Sequence, residues 1–124
     1  MLNLKDFQIA RKNIAEKRDS NAESIFDEAL KILESYKNLP SITKLEQLGK
    51  KLIETISYNK EHLPAYLYLS FVFYALNNEE MALKYIKIAE SLSKDPLPSA
   101  ILKYKDEINN KIEQKFSRNL GGRI

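Results

Sequence analysis

The chain has no cysteine among its 124 residues, one histidine, three glycines and four prolines. Without cysteine there are no disulfides, no thiolate metal sites and no cysteine nucleophile. That absence is compatible with a reducing compartment, and a cytoplasmic location is expected. The lone His62 lies in a connection, beside Glu61 and just before Leu63-Pro64. A metal site needs several ligands at defined spacing, and no second histidine or cysteine is present to supply them. No motif surrounds His62 that would make it the base for a serine nucleophile, so it reads as a partly exposed turn residue. The glycines are Gly49, Gly121 and Gly122, which leaves no glycine-rich phosphate loop. Glu79 and Glu80 are adjacent and diverge on a helix, and their place is the first turn of that helix rather than a catalytic carboxylate pair. The expectation is a protein without cofactor or metal, and not an enzyme.

Long hydrophobic runs are also missing. The longest uncharged stretch, Leu63 to Asn78, is shorter than the about 20 apolar residues that cross a membrane, and reads as a buried helix. The first residues, with Lys5, Asp6, Arg11 and Lys12, do not form a secretory signal. Charge of one sign does not dominate: 20 basic residues stand against 17 acidic ones, a net charge of +3. The distribution is uneven, with basic ends and an acidic stretch over residues 21–40. The ends carry Arg11, Lys12, Lys17, Arg18, Lys111, Lys115, Arg118 and Arg123. Either these form a solvated surface, or they steer an acidic partner, nucleic acid included. Acids interleave with them throughout, and no nucleic-acid recognition motif is present.

Hydrophobic residues make up 44% of the chain and charged residues 30%, which suits a folded domain and not a disordered one. Few helix breakers and many Leu, Ile, Lys and Glu favour long helices. Six can be placed. Leu4, Phe7, Ala10 and Ile14 fit one face of a first helix, about Leu4 to Lys17. Ser20-Asn21-Ala22-Glu23 has the spacing of a capping box and predicts a fresh start there, with Ala22, Ile25, Phe26, Ala29, Leu30, Leu33 and Tyr36 as its stripe. Pro40 ends that helix, and Ser41 is the N-cap of the third. Ile42, Leu45, Leu48, Leu52, Ile53 and Ile56 form its stripe, and Gly49 inside it either permits a close helix contact or is a tolerated surface residue. The fourth, Leu63 to Leu76, is apolar almost all round, so it is covered on several sides. Asn77 or Asn78 caps the fifth, whose stripe is Ala82, Tyr85, Ile86, Ala89 and Leu92. Asp95-Pro96 reads as the N-cap and N1 pair of the last, with Ile101, Tyr104, Ile108, Ile112 and Phe116 on one face. Connections of two to five residues make successive helices antiparallel neighbours.

Leu63 to Pro96 spans 34 residues and holds two of these helices about a short polar turn. Thirty-four is the period of a helix–turn–helix repeat that stacks into a solenoid. Tyr66, Leu69 with Ser70, and Phe73 fall on its first helix. Ala82, Ile86 and Ala89 fall on its second, with Ser70, Ala82 and Ala89 small where the helices must approach. In these residues the segment resembles a tetratricopeptide repeat, with Ser70 in place of glycine, Phe73 in place of tyrosine and Ile86 in place of phenylalanine. A divergent unit lies 34 residues earlier, with Leu52 corresponding to Ile86 and Thr55 to Ala89.

The resemblance implies an all-α fold of antiparallel helix–turn–helix pairs stacked as a short superhelix of five to six helices. It implies one domain over residues 1–116, with 63–96 the clearest repeat, 97–116 a capping helix and 117–124 a flexible tail. It further implies a protein–protein interaction module, an adaptor or chaperone-like part. In the family, the first helix of each pair lines a concave groove that holds a peptide or a partner helix. Leu67, Phe71, Tyr74 and Ala75 would face that groove here, with Tyr68 near its rim. No basic residue lies between Leu63 and Met81, so the lysine clamp some members use for an acidic C-terminus is absent from this unit. An apolar segment is the expected ligand. The groove could instead be filled by the chain's own first or last helix. Two other functions remain open: nucleic-acid binding through the basic ends, and self-association as a homodimer.

Overall fold

The structure, a computed structural model, describes the backbone of residues 4–121 and the side chains of residues 19–117. Five helices occupy the described residues, and no strand occurs among them. They are α1 (Leu4–Asn38), α2 (Ile42–Tyr58), α3 (Leu63–Ala75), α4 (Glu79–Leu92) and α5 (Ser99–Gly121). The chain divides into two compact units, Met1–His62 and Leu63–Ile124.

In the first unit, α1 is one helix where the sequence predicts two. Ser20-Asn21-Ala22-Glu23 lies in its interior, not at a helix start. A capping box acts only where the chain has already left the helix. Residues 4–38 contain no proline or glycine to break it. Extending a helix adds a hydrogen bond for each residue fixed, whereas starting a new one repeats the unfavourable nucleation step. The side chains of Leu4, Phe7, Ala10 and Ile14 lie outside the described residues.

Pro40 ends α1, and Ser41 opens α2 by accepting a hydrogen bond at its Oγ from the Lys44 backbone N–H at 3.2 Å. The two helices run antiparallel. Lys44 Nζ donates to the carbonyls of Ser35 and Leu39, Lys51 Nζ lies 3.0 Å from Glu28 Oε2, and His62 Nε2 lies 2.8 Å from Glu23 Oε1. The buried positions are Ala22, Phe26, Ala29 and Leu33 on α1, and Leu45, Leu48, Leu52 and Thr55 on α2. Steps of three and four on both helices make the narrow seam of a two-helix packing. Gly49 is buried beside this seam, which fits its role in close contact. Thr55 is accommodated because its hydroxyl donates to the Lys51 carbonyl one turn back.

Two residues of the expected α2 stripe are not in it. Ile42 is 67% exposed and Ile53 51% exposed. Within the first unit α1 covers only a narrow stripe of α2, and Thr55 takes the position that the broader apolar pattern would have given to an isoleucine.

His62 also departs from expectation. It is buried, not partly exposed. Its ring packs on Phe26 with centroids 4.6 Å apart, and its Nε2 meets Glu23. The polar nitrogen thereby finds a partner, which is what burial of an imidazole requires.

In the second unit, α3 and α4 form a hairpin around Asn77-Asn78. Asn77 has φ of 63°, a left-handed conformation that asparagine tolerates better than most residues. Its N–H donates to the Tyr74 carbonyl and that of Asn78 to the Phe73 carbonyl, the paired bonds that close a helix end. Asn78 Oδ1 then accepts from the Met81 N–H and opens α4. Two adjacent asparagines thus stop one helix and start the next.

The last helix begins at Ser99, not at Asp95-Pro96. The Pro98 carbonyl accepts the first helical bonds, from Ile101 and Leu102. Pro98 disfavours a helical Leu97, so a helix cannot propagate from Pro96, and Leu97 is buried as part of the connection. Helix α5 packs antiparallel on α4 through a cluster of Ala82, Ile86 and Ile108, bordered by Phe73, Tyr74, Leu83, Tyr104 and Ile112. Ion pairs mark its two ends, Lys105 with Glu90 at 2.6 Å and Lys115 with Glu79 at 2.5 Å. α5 continues through Gly121, so residues 117–121, expected in a flexible tail, are helical.

Candidate interaction surface on α3

Helix α3 carries no charged side chain and is apolar on nearly every side. One side belongs to α4. Ser70 Oγ donates to the Ala82 carbonyl at 2.7 Å, a bond that forms only where two backbones lie close. Ser70, Ala82 and Ala89 are all fully buried. Around this approach Phe73 stacks on Tyr85 with centroids 5.4 Å apart, and Tyr66 lies 6.2 Å from the same ring. Burial raises the Tyr66 hydroxyl pKa, with the neighbouring Tyr85 adding to the effect.

The five residues expected to bind a partner sit away from that contact. Leu67, Phe71 and Ala75 recur in steps of four and share one row of the helix. Tyr68 and Tyr74 flank the row, and all five are half-buried. Their surroundings differ. Tyr74 is held by α5. Its hydroxyl donates to Glu107 Oε1 at 3.0 Å, its ring lies 5.2 Å from Tyr104, and Lys111 Nζ sits 4.5 Å above its ring centroid. A cation over an aromatic face is an attractive contact. The Lys111 ammonium pKa is raised, first by hydrogen bonding to Tyr74 and then by the acidic groups nearby. Tyr74 therefore forms the α5-side wall of the surface, with Leu67, Phe71 and Ala75 beside it.

Of three residues at this wall, Tyr104 is expected on the apolar face of the last helix and Lys111 among the basic ends, Glu107 is not singled out by the sequence, and none of the three is expected beside Tyr74. They follow one another at helical spacing on α5, but only folding brings them to Tyr74, some thirty positions earlier. Lys115, one of the basic residues near the C-terminus, is committed to Glu79, and it also donates to the Asn77 carbonyl. Among the described residues no cluster of His, Cys, Asp or Glu could hold a metal ion, and no helix is long and apolar enough to cross a membrane.

No protein-family model matches the chain, and no curated protein matches it significantly in sequence.

Proposed function

We propose that this protein is an interaction module of tetratricopeptide-like construction, and that the α3 face of Leu67, Tyr68, Phe71, Tyr74 and Ala75 receives an apolar peptide or helix in a concave groove. The observation that carries the reading is the character of α3. It is an uncharged helix whose side next to α4 is fully packed, while the row Leu67–Phe71–Ala75 remains only half-buried. Large aromatic groups in such positions contribute much contact area for little conformational entropy, which suits a binding hot spot. Tyr74, held by Glu107 and Lys111, presents a pre-positioned ring at the border of the surface. The ligand class follows from the absence of charge. An apolar segment loses nothing on desolvation there, whereas an acidic one would meet no cation on α3.

The test uses purified protein with p-benzoyl-phenylalanine at position 68, cross-linked in extract of the native source. The captured segment is then synthesised and its affinity measured directly. Leu67→Ala with Phe71→Ala should weaken that affinity by at least about tenfold, as hot-spot truncations do, with helical circular dichroism retained. Tyr74 is left intact because its loss would also disturb α5. Equal affinity of the folded double variant and the parent would sink the proposal.

A further inference from the structure

The outer face of α2 carries three features that together specify a partner. The first is apolar exposure: Ile42 and Ile53 are among the most exposed large apolar side chains described, and both lie on this one helix. Eleven residues is close to three turns of an α-helix, so the two point in nearly the same direction. The second is charge: Glu46 and Lys50 are exposed between them on the same side, and neither takes part in an ion pair among the described residues. The third is position. The midpoint of Ile42 and Ile53 falls between residues 47 and 48, and the midpoint of Glu46 and Lys50 falls at residue 48.

Midpoints that fall within half a residue of each other fit a surface that complements itself under a twofold axis. In such an isologous contact, residue i meets residue j of the other copy and residue j meets residue i. Laying a second copy of α2 antiparallel across the first, centred near residue 48, sets each Ile42 against the other copy's Ile53. It also sets each Glu46 against the other copy's Lys50. The apolar contact and the ion pair each form twice, in one register. A shift by one turn would place Glu46 opposite Glu46 or Lys50 opposite Lys50, so the charges fix the register as well as contributing attraction. Thr43 and Gln47, on the flank, add no like charge to oppose the pairing.

We propose that the exposed face of α2 is a homodimer interface, formed antiparallel through Ile42, Glu46, Lys50 and Ile53. The contact is independent of the α3 surface: its residues lie on another helix, in the first unit. It is a small contact, below the size of long-lived interfaces, so the dimer forms reversibly and in proportion to concentration.

Sedimentation equilibrium of the full chain from about 10 to about 500 μM brackets the range expected of a contact this small. The mass should rise with concentration toward twice the 14.4 kDa of one chain. Glu46→Lys alone, or Lys50→Glu alone, places like charges face to face and should weaken association at least tenfold. The double swap Glu46→Lys with Lys50→Glu restores opposite charges across the axis and should recover dimerisation. Ile53→Asp should abolish it, and because Ile53 is exposed the variant folds, as circular dichroism would verify. The Leu67→Ala, Phe71→Ala variant should dimerise unchanged, which separates this proposal from the one for α3. A parent protein that stays monomeric at the highest concentration, or a dimer indifferent to the single charge swaps, overturns it.

Discussion

Tyr104 is the side chain whose local chemistry is least balanced. Its hydroxyl is buried in the second unit without a hydrogen-bond partner among the described residues. Burial drives its pKa well above the ordinary tyrosine value, with Tyr74 and Glu107 reinforcing the shift. The ring itself is well placed, against Tyr74 and next to the Ala82–Ile86–Ile108 cluster. Removing only the oxygen should therefore help. Tyr104→Phe keeps the ring contacts and relieves the desolvation of an unmatched polar group, for an expected gain of about 1 kcal/mol in urea denaturation. A loss of stability of that size would mean the hydroxyl is satisfied in solution by a bound water. Ser70 makes the opposite case at the same scale. It too is fully buried, but its hydroxyl is spent on the Ala82 carbonyl, and it permits the close approach of α3 and α4.

At the scale of the element, the first turn of α4 is where charge, capping and packing meet. Glu79 is buried, and Lys115 reaches it from α5. The Lys115 hydrogen bond holds the Glu79 carboxyl below its ordinary value of 4.5, against the opposing pull of burial, with a backbone N–H of its own turn and the Lys111 charge assisting. A carboxyl lowered on folding stabilises the fold at pH values above its unfolded value. That contribution is lost as pH falls through the folded value. The stability difference between the parent and Glu79→Gln should therefore be constant above about pH 5.5 and shrink steadily below about pH 4.5. Denaturation midpoints at several pH values measure it. A difference that does not change down to pH 3 would show that the Glu79–Lys115 pair does not contribute to stability.

The element scale also shows what was legible beforehand. Ser41, Asn78 and Pro40 announced helix ends correctly because capping and proline sterics act within four residues. Ser20 misled because the same four-residue signal has no effect inside an unbroken helix. Asp95-Pro96 misled because Pro98, two residues on, overrides it. Small residues at Ser70, Ala82 and Ala89 correctly marked buried positions, since close packing excludes larger side chains. The expected α2 stripe was too wide: periodicity shows which residues share a face, not how much of it a neighbour covers. Tyr74's attachment to α5 and the burial of His62 depend on partners 30 or more positions away, and no local pattern encodes them. The positions of the α3 surface residues on one helix were legible from spacing alone; the wall supplied by Tyr104, Glu107 and Lys111 was not.

On the scale of the whole molecule, the extensive helix packing within each unit joins neighbours in sequence: α1 with α2 in the first, and α3 with α4 and α4 with α5 in the second. Each hairpin closes over a connection of a few residues, so the entropy lost on closing each loop is small. Local contacts of this kind speed folding, because no distant segments must meet before favourable packing begins. No disulfide must form, as there is no cysteine. Refolding from urea should therefore be dominated by a phase complete within about 10 ms, in the range of helical bundles and far from that of sheet proteins. Stopped-flow tyrosine fluorescence can follow it, since tyrosines occur in both units and the chain has no tryptophan. Dimerisation through α2 would be a second-order step, visible only as a later phase whose rate rises with protein concentration. A dominant, concentration-independent phase of seconds would contradict this account, because it would require long-range contacts that sequential helix packing does not contain.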